Sequence, residues 1–174
     1  RPSHPLHPTL RACGKLEILD RLALLLHASG RRVLIFATMT RALDVIQGAL
    51  GRRGLPCERL DGGTPGPERD AAVARFNDPT PGPFAFLLSV RAGGVGLNLQ
   101  AADAVVMYDT DWNPAVDAQA QGRAHRLGQA RAVQVFRLRT AGSIEERIQA
   151  AAAGKQAAAD ASITGGFFDG RTSE

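Results

Sequence analysis

The sequence predicts an α/β fold with a mostly parallel central sheet covered by helices on both faces. Three observations predict it. Short continuous apolar runs such as Val33-Leu34-Ile35-Phe36 have the make-up of strands buried on both faces. The segments between such runs carry apolar residues at helical spacing. The two kinds alternate along the chain, and strands joined through helices lie parallel because each crossover returns to the same end of the sheet. At 174 residues, 44% hydrophobic and 22% charged, the chain has the size of one ordinary domain and enough apolar residues for a core.

The elements follow in order. Residues 1–14 hold Pro2, Pro5, Pro8 and Gly14 without periodic apolar positions and read as an irregular leader. From about Lys15, Leu16, Leu19, Leu22, Ala23 and Leu26 recur at helical spacing until Gly30 closes the run. After the strand at 33–36, Leu43, Ile46, Gln47 and Leu50 return to helical spacing, with Thr40 as the expected N-cap. Cys57 to Leu60 is a short strand, Glu68 to Phe76 a helix, Phe84 to Ser89 a buried strand and Ala104 to Tyr108 another. Asn113-Pro114 starts a helix, with a side-chain acceptor at the cap and proline at the first helical position. Val133 to Arg139 is the fifth strand, and Ser143-Ile144-Glu145-Glu146 is a capping box ahead of an alanine-rich helix reaching about Ala161. This gives one lobe over 15–162, and a tail over 163–174, with Phe167 and Phe168, expected to dock outside it.

Composition narrows the function classes. Cys13 and Cys57 are too few and too far apart for a disulfide framework or a zinc clamp, so a reducing interior and no metal centre are expected. No apolar run approaches the roughly 18 residues of a membrane span, and the leader lacks the apolar core of a secretory signal. The formal charge is +4 with a pI near 9.8, and Lys15 and Lys155 are the only lysines. Guanidinium is a planar fork that grips phosphate bidentately, so nucleic acid or nucleotide is the partner class this favours. The coding bias of a genome produces the same composition, and both readings stay open at this level.

In a doubly wound sheet, ligands gather at the carboxyl ends of strands, and three loops there stand out. Arg91 to Asn98 holds Gly93, Gly94 and Gly96, which let backbone N–H groups approach an anionic ligand; the alternative is a tight turn packed on a helix. It is not a dinucleotide fingerprint, because the third glycine position is Leu99. Asp109 to Pro114 places Trp112, the only tryptophan, at a polar strand-to-helix junction, where it can stack on a base or wedge a strand. Asp109 and Asp111 read as capping and turn chemistry rather than as a Mg²⁺ pair. In Gln119 to Gln129, Arg123 and Arg126 are three residues apart and share a helix face, with no acidic residue within a turn. Two such guanidinium groups call for an external anion, and a transferring phosphoryl group rewards both; a surface ion pair is the plainer alternative. His125 points elsewhere and reads as structural. No GxxxxGK[ST] loop exists, since Gly14-Lys15 is followed by Leu16 and lacks its leading glycine. The chain can supply arginines to a nucleotide but cannot hold a triphosphate alone.

These residues closely resemble the second RecA-like lobe of superfamily 2 helicase-type motors, and specifically the SWI/SNF-type chromatin-remodelling ATPases. Val33 to Phe36 with Met39-Thr40-Arg41 resembles motif IV, Arg59 to Thr64 the block after it, Ser89 to Gln100 motif V, Asp109 to Pro114 an extension typical of this branch, and Gln121 to Gln129 motif VI. The tail with Gly166-Phe167-Phe168-Asp169 is similar to the segment that follows the lobe in the Brahma-type subfamily. The resemblance implies a RecA-like three-layer sandwich serving as the second motor lobe of a double-stranded DNA translocase that remodels nucleosomes in the nucleus. ATP with Mg²⁺ would be held mainly by a first RecA-like lobe outside this chain, and the fragment alone is expected to be inactive. Arg123 and Arg126 would be arginine fingers, Gly94, Gly96 and Gln129 would lie near the nucleotide, and Thr38, Arg91 and Trp112 would grip the DNA backbone. Further partners would be the nucleosome and subunits of a remodelling complex, with no membrane. Gly122 departs from the charged residue usual in motif VI, and glycine weakens that helix by roughly 1 kcal/mol relative to alanine. The alternative from another class is a catalytically silent lobe that docks nucleic acid or protein; a free-standing nucleotide-binding enzyme is a third.

Overall fold

The computed structural model describes residues 13–79, 82–90, 97–109, 132–147, 150, 151 and 154. Among these, five strands form one sheet in the order β2-β3-β1-β4-β5, every neighbouring pair parallel. The strands are β1 (Val33–Ala37), β2 (Cys57–Leu60), β3 (Ala85–Ser89), β4 (Ala104–Met107) and β5 (Gln134–Arg137). Among the described residues three helices precede or connect them: α1 (Gly14–Ala28), α2 (Thr40–Arg52) and α3 (Gly66–Asn77). The α/β class is as expected, with all five strands parallel.

Alternating side chains sort the core onto two faces. Val33, Ile35 and Ala37 of β1, with Ala85, Leu87, Ala104 and Val106, pack under Leu16, Leu19, Ala23 and Leu26 of α1 and Leu43, Ile46 and Leu50 of α2. Leu34 and Phe36, with Phe86, Leu88, Val105 and Met107, pack under Ala72 and Phe76 of α3 and under Leu97, Leu99 and Ala102. The order of connections requires this. The chain steps from β1 across β3 to β2, then returns in the opposite sense to β3 and on to β4. Right-handed crossovers therefore place α2 on one face and α3 with the 97–102 segment on the other.

Several boundaries differ from the sequence reading, for local reasons. Gly14 is already helical, so α1 takes in the end of the predicted leader. Gly30, at φ +66°, ends α1 with its N–H on the His27 carbonyl at 2.9 Å. Thr40 is the first residue of α2 and not its cap; Met39 holds the cap position, in extended conformation and with no side-chain hydrogen bond. Ser143 does accept from the Glu145 amide at 3.2 Å, but the carboxylate that reaches back is Glu145, to the Thr140 amide at 2.8 Å, and not Glu146. Residues 1–12, the Asn113-Pro114 helix start and the tail over 163–174 lie outside the described residues.

Many arginines serve the fold itself. Arg53 reaches back to α1 and pairs bidentately with Asp20, at 2.8 and 2.6 Å. Arg31 pairs with Asp103 at 2.9 Å and donates to Gln134, tying the amino ends of β4 and β5. Arg59 joins Asp44 and Asp61, Arg75 pairs with Glu58, and Arg32 donates to the Phe76 carbonyl. Cys13 and Cys57 are free thiols, and no described helix is long and apolar enough to cross a membrane.

Asp20 is only 4% exposed, so Arg53→Met strands a buried carboxylate without its partner. The expected loss is about 3 kcal/mol, read as a lower urea midpoint for unfolding of the chain. Adding Asp20→Leu restores most of it, because the charge that needed pairing is then gone.

Candidate functional site

A parallel sheet brings every strand to the same rim at its carboxyl end, and here that rim carries most of the loops singled out in the sequence. The register aligns Ala37 of β1 with Ser89 of β3, and Phe36 with Met107 of β4. The three chains therefore leave the sheet side by side, at strand spacings of about 4.8 Å. Val90 donates its N–H to Ala37 O at 3.0 Å, and Tyr108 to Phe36 O at 2.9 Å, which extends the ladder to the rim. From β1 the chain turns to the α2 face, while Leu97, Leu99 and Ala102, beyond β3, pack on the opposite face; adjacent strands whose connections diverge in this way mark the ligand crevice of open α/β sheets.

Thr38 stands at this crevice, half-buried. The same register places it opposite Asp109, and the Asp109 carboxylate takes both Thr38 donors, the amide at 2.7 Å and the hydroxyl at 2.9 Å. Asp109 thus cross-links two loops 71 residues apart in sequence, rather than serving its own turn. The next residue inward is fixed from the other face. Lys15, at the start of α1, donates to the Tyr108 carbonyl at 3.1 Å, pairs with Glu145, and lies 5.7 Å from the centre of the Tyr108 ring. Cys13 Sγ lies 3.5 Å from the Tyr108 hydroxyl. That contact holds the Cys13 thiol below its usual range against the opposing effect of burial. Burial, reinforced by the contact with Cys13, pushes the Tyr108 phenol up.

At the far end of the β2 rim, Asp61 accepts the Gly63 N–H and Thr64 Oγ1 accepts the Asp61 N–H, both at 3.1 Å. This closes the Arg59 to Thr64 block as a self-bonded turn. A cleft of about 740 Å³ lies at the other end, between α1 and the chain leaving β5, lined by Lys15, Ile18, Leu138 and Arg139 among others.

Of the residues predicted to act, Thr38 is the one whose surroundings are described. Arg91, Gly94 and Gly96 follow β3 directly, and Trp112, Arg123, Arg126 and Gln129 follow β4; all of these lie outside the described residues. Their strands of origin flank β1 on either side. Sequence reasoning missed the reach of Asp109 and the role of Lys15. No sequence signal marked the pairing, which follows from the register: both 38 and 109 stand two residues past the paired Phe36 and Met107.

The helicase conserved C-terminal domain family matches residues 14–128, and the chain belongs to that family. It is 54% identical over 172 residues to the chromatin structure-remodeling complex protein SYD of Arabidopsis thaliana, covering 99% of this chain and 5% of that protein. It is 49% identical over 159 residues to the ATP-dependent helicase brm of Drosophila melanogaster, covering 91% of this chain and 10% of that protein. The chain thus spans no more than a tenth of either relative's length. Among solved structures it matches the C-terminal part of the Fun30 ATPase domain with a TM-score of 0.79 and 34% identity, over 86% of this chain and 48% of that one. The RecA-like fold and the resemblance to SWI/SNF-type remodelling ATPases read from the motifs are borne out.

The Glu145 anchor carries a pH dependence. Burial alone would raise this carboxyl; hydrogen bonds from Lys15 and the Thr140 amide, with the Lys15 charge, outweigh it and hold the group below its ordinary 4.5. A carboxyl lowered on folding stabilises above its unfolded value, and that stabilisation is lost as pH falls through the folded one. The Thr140 amide resonance is expected to titrate with a midpoint below 4.5 and to lose this step in Glu145→Gln.

Proposed function

We propose that this helicase C-terminal domain is the second motor lobe of an ATP-dependent double-stranded DNA translocase that remodels nucleosomes. In this reading the lobe spans 15–162, and the tail over 163–174 docks outside it. Arg123 and Arg126 act as arginine fingers toward ATP held by a first RecA-like lobe, with Gly94, Gly96 and Gln129 near the nucleotide, while Arg91 and Trp112 grip the DNA backbone and Thr38 lines the same rim by contact, both its donors being on Asp109. The observation that carries the reading is the alignment of the β3, β1 and β4 exits on one rim, which starts every one of these segments from three neighbouring strands. The names of the relatives support the chromatin substrate, the nuclear location and membership of a remodelling complex.

The donor set at the rim fits a nucleotide only in part. Lys15, the one lysine among the described residues, has its ammonium on Glu145 and the Tyr108 carbonyl and is committed to those partners. The triphosphate and its Mg²⁺ therefore need a phosphate-binding loop and acidic groups from a first lobe. When bound there, the nucleotide supplies the free energy that opens and closes the cleft between lobes. This chain contributes guanidinium charge aimed at developing phosphoryl charge, and a DNA-facing rim that moves with it.

In the full-length protein, Arg126→Ala is expected to lower DNA-stimulated ATP hydrolysis by about 10³-fold or more while leaving DNA affinity nearly intact. Equal loss of both would make Arg126 a DNA contact instead. Trp112→Ala is expected to spare hydrolysis more than translocation, measured as ATP consumed per base pair moved. A parallel fall in the two rates would remove the stacking role.

A further inference from the structure

Asp109 spends both carboxylate oxygens on a single partner, the amide and the hydroxyl of Thr38. The carboxylate is half-buried at the rim, and the residue before it is pinned by Lys15 from the α1 side. The end of β4 is thus held on two faces immediately before the chain runs on to Trp112, Arg123 and Arg126. Thr38 is held by the same contact where β1 turns toward α2. Two charge-assisted hydrogen bonds from one residue to one carboxylate fix direction as well as distance, which a single bond does not.

We infer that Asp109 is a positioning residue that sets the geometry of the DNA-facing rim by clamping Thr38 to the exit of β4. This rests on the proposed function only for the rim: it takes the rim at the β1 and β4 exits as DNA-facing, while Thr38, with both donors on Asp109, shapes that rim and does not itself donate to a phosphate. Asp109 touches neither nucleotide nor DNA in this role; it fixes the rotamer and the backbone direction of Thr38. DNA then meets a rim already ordered and does not have to order it. The clamp needs two hydrogen bonds, not a negative charge. An asparagine still accepts the Thr38 amide through Oδ1, and it donates Nδ2–H to the hydroxyl oxygen, which turns from donor to acceptor.

The test is DNA-stimulated ATP hydrolysis by the full-length protein, titrated with a defined duplex, so that the half-saturating DNA concentration and the maximal rate are read separately. Asp109→Ala is expected to raise the half-saturating concentration about fivefold or more with the maximal rate largely kept. Asp109→Asn is expected to stay within about twofold of the parent. In a Thr38→Val background, Asp109→Ala is expected to add less than it does alone, because the two residues act as one unit. Asp109→Ser, too short to span both donors, reads the same way should the alanine variant fail to fold. The inference is overturned if alanine leaves half-saturation unchanged, if it lowers only the maximal rate as lost folded protein would, or if asparagine is as impaired as alanine, which would make charge the property that matters. Arg126→Ala, assayed alongside, separates the two claims. If it retains hydrolysis, the motor reading falls; if it is inactive while Asp109→Ala resembles the parent, only the clamp falls.

Discussion

Burial of β1 on both faces and both edges is the constraint from which the rest of the fold follows. Its five residues are at most 1% exposed, with β3 on one side and β4 on the other. Both neighbours are parallel to it, so their connections pass over one face or the other, and the fixed hand of those crossovers decides which. With this strand order the crossovers put α2 on one face and α3 on the opposite one, the carboxyl ends of β3, β1 and β4 open on one rim, and α1 is found on the α2 face. The place where chemistry can occur is therefore set by sheet topology before any functional side chain is considered.

The arginine-rich composition divides by location. Arg31 and Arg53 neutralise carboxylates that are themselves buried, and Arg32 satisfies a helix-end carbonyl. Arg59 and Arg75 hold acidic partners at the β2 side of the sheet. A guanidinium suits these places because it offers several donors in a fixed plane and stays charged when partly buried, where an ammonium would lose more on desolvation. A count of positive charge therefore overstates what the chain can offer a phosphate. Motif position, rather than charge, is what singles out Arg91, Arg123 and Arg126 for the proposed function.

Most of the fold was legible because its signals are local. Val33 to Phe36 and Ala85 to Ser89 are strands without an exposed residue, and unbroken apolar runs of that length leave little else for the chain to do. Boundaries were less legible because they depend on partners distant in sequence. Thr40 has the chemistry of a cap, but its neighbour Met39 takes the extended conformation that a cap position requires, and the threonine enters the helix. In the 143–146 box, Glu145 rather than Glu146 turns back, because Lys15 from the start of the chain waits on its side. The candidate site was legible as a set of loops, through glycine, tryptophan and paired arginine, and illegible as a network. Nothing near residue 109 announces residue 38 as its partner, since only the register of two non-consecutive strands brings them together.

The cluster of Cys13, Lys15, Tyr108 and Glu145 ties three parts of the chain together beside the rim. Glu145 and a backbone carbonyl hold the Lys15 ammonium in place, and the group is mostly buried between α1, the end of β4 and the chain after β5. Releasing it to a nucleotide would leave Glu145 unpaired and detach the helical turn at 144–147 from α1, which offsets the attraction of the ammonium for a phosphate. The lysine is therefore committed to architecture, and with it goes the one described ammonium that a phosphate could have used. In the proposed function the charge offered to a phosphate comes instead from guanidinium groups on segments that start at these strand ends.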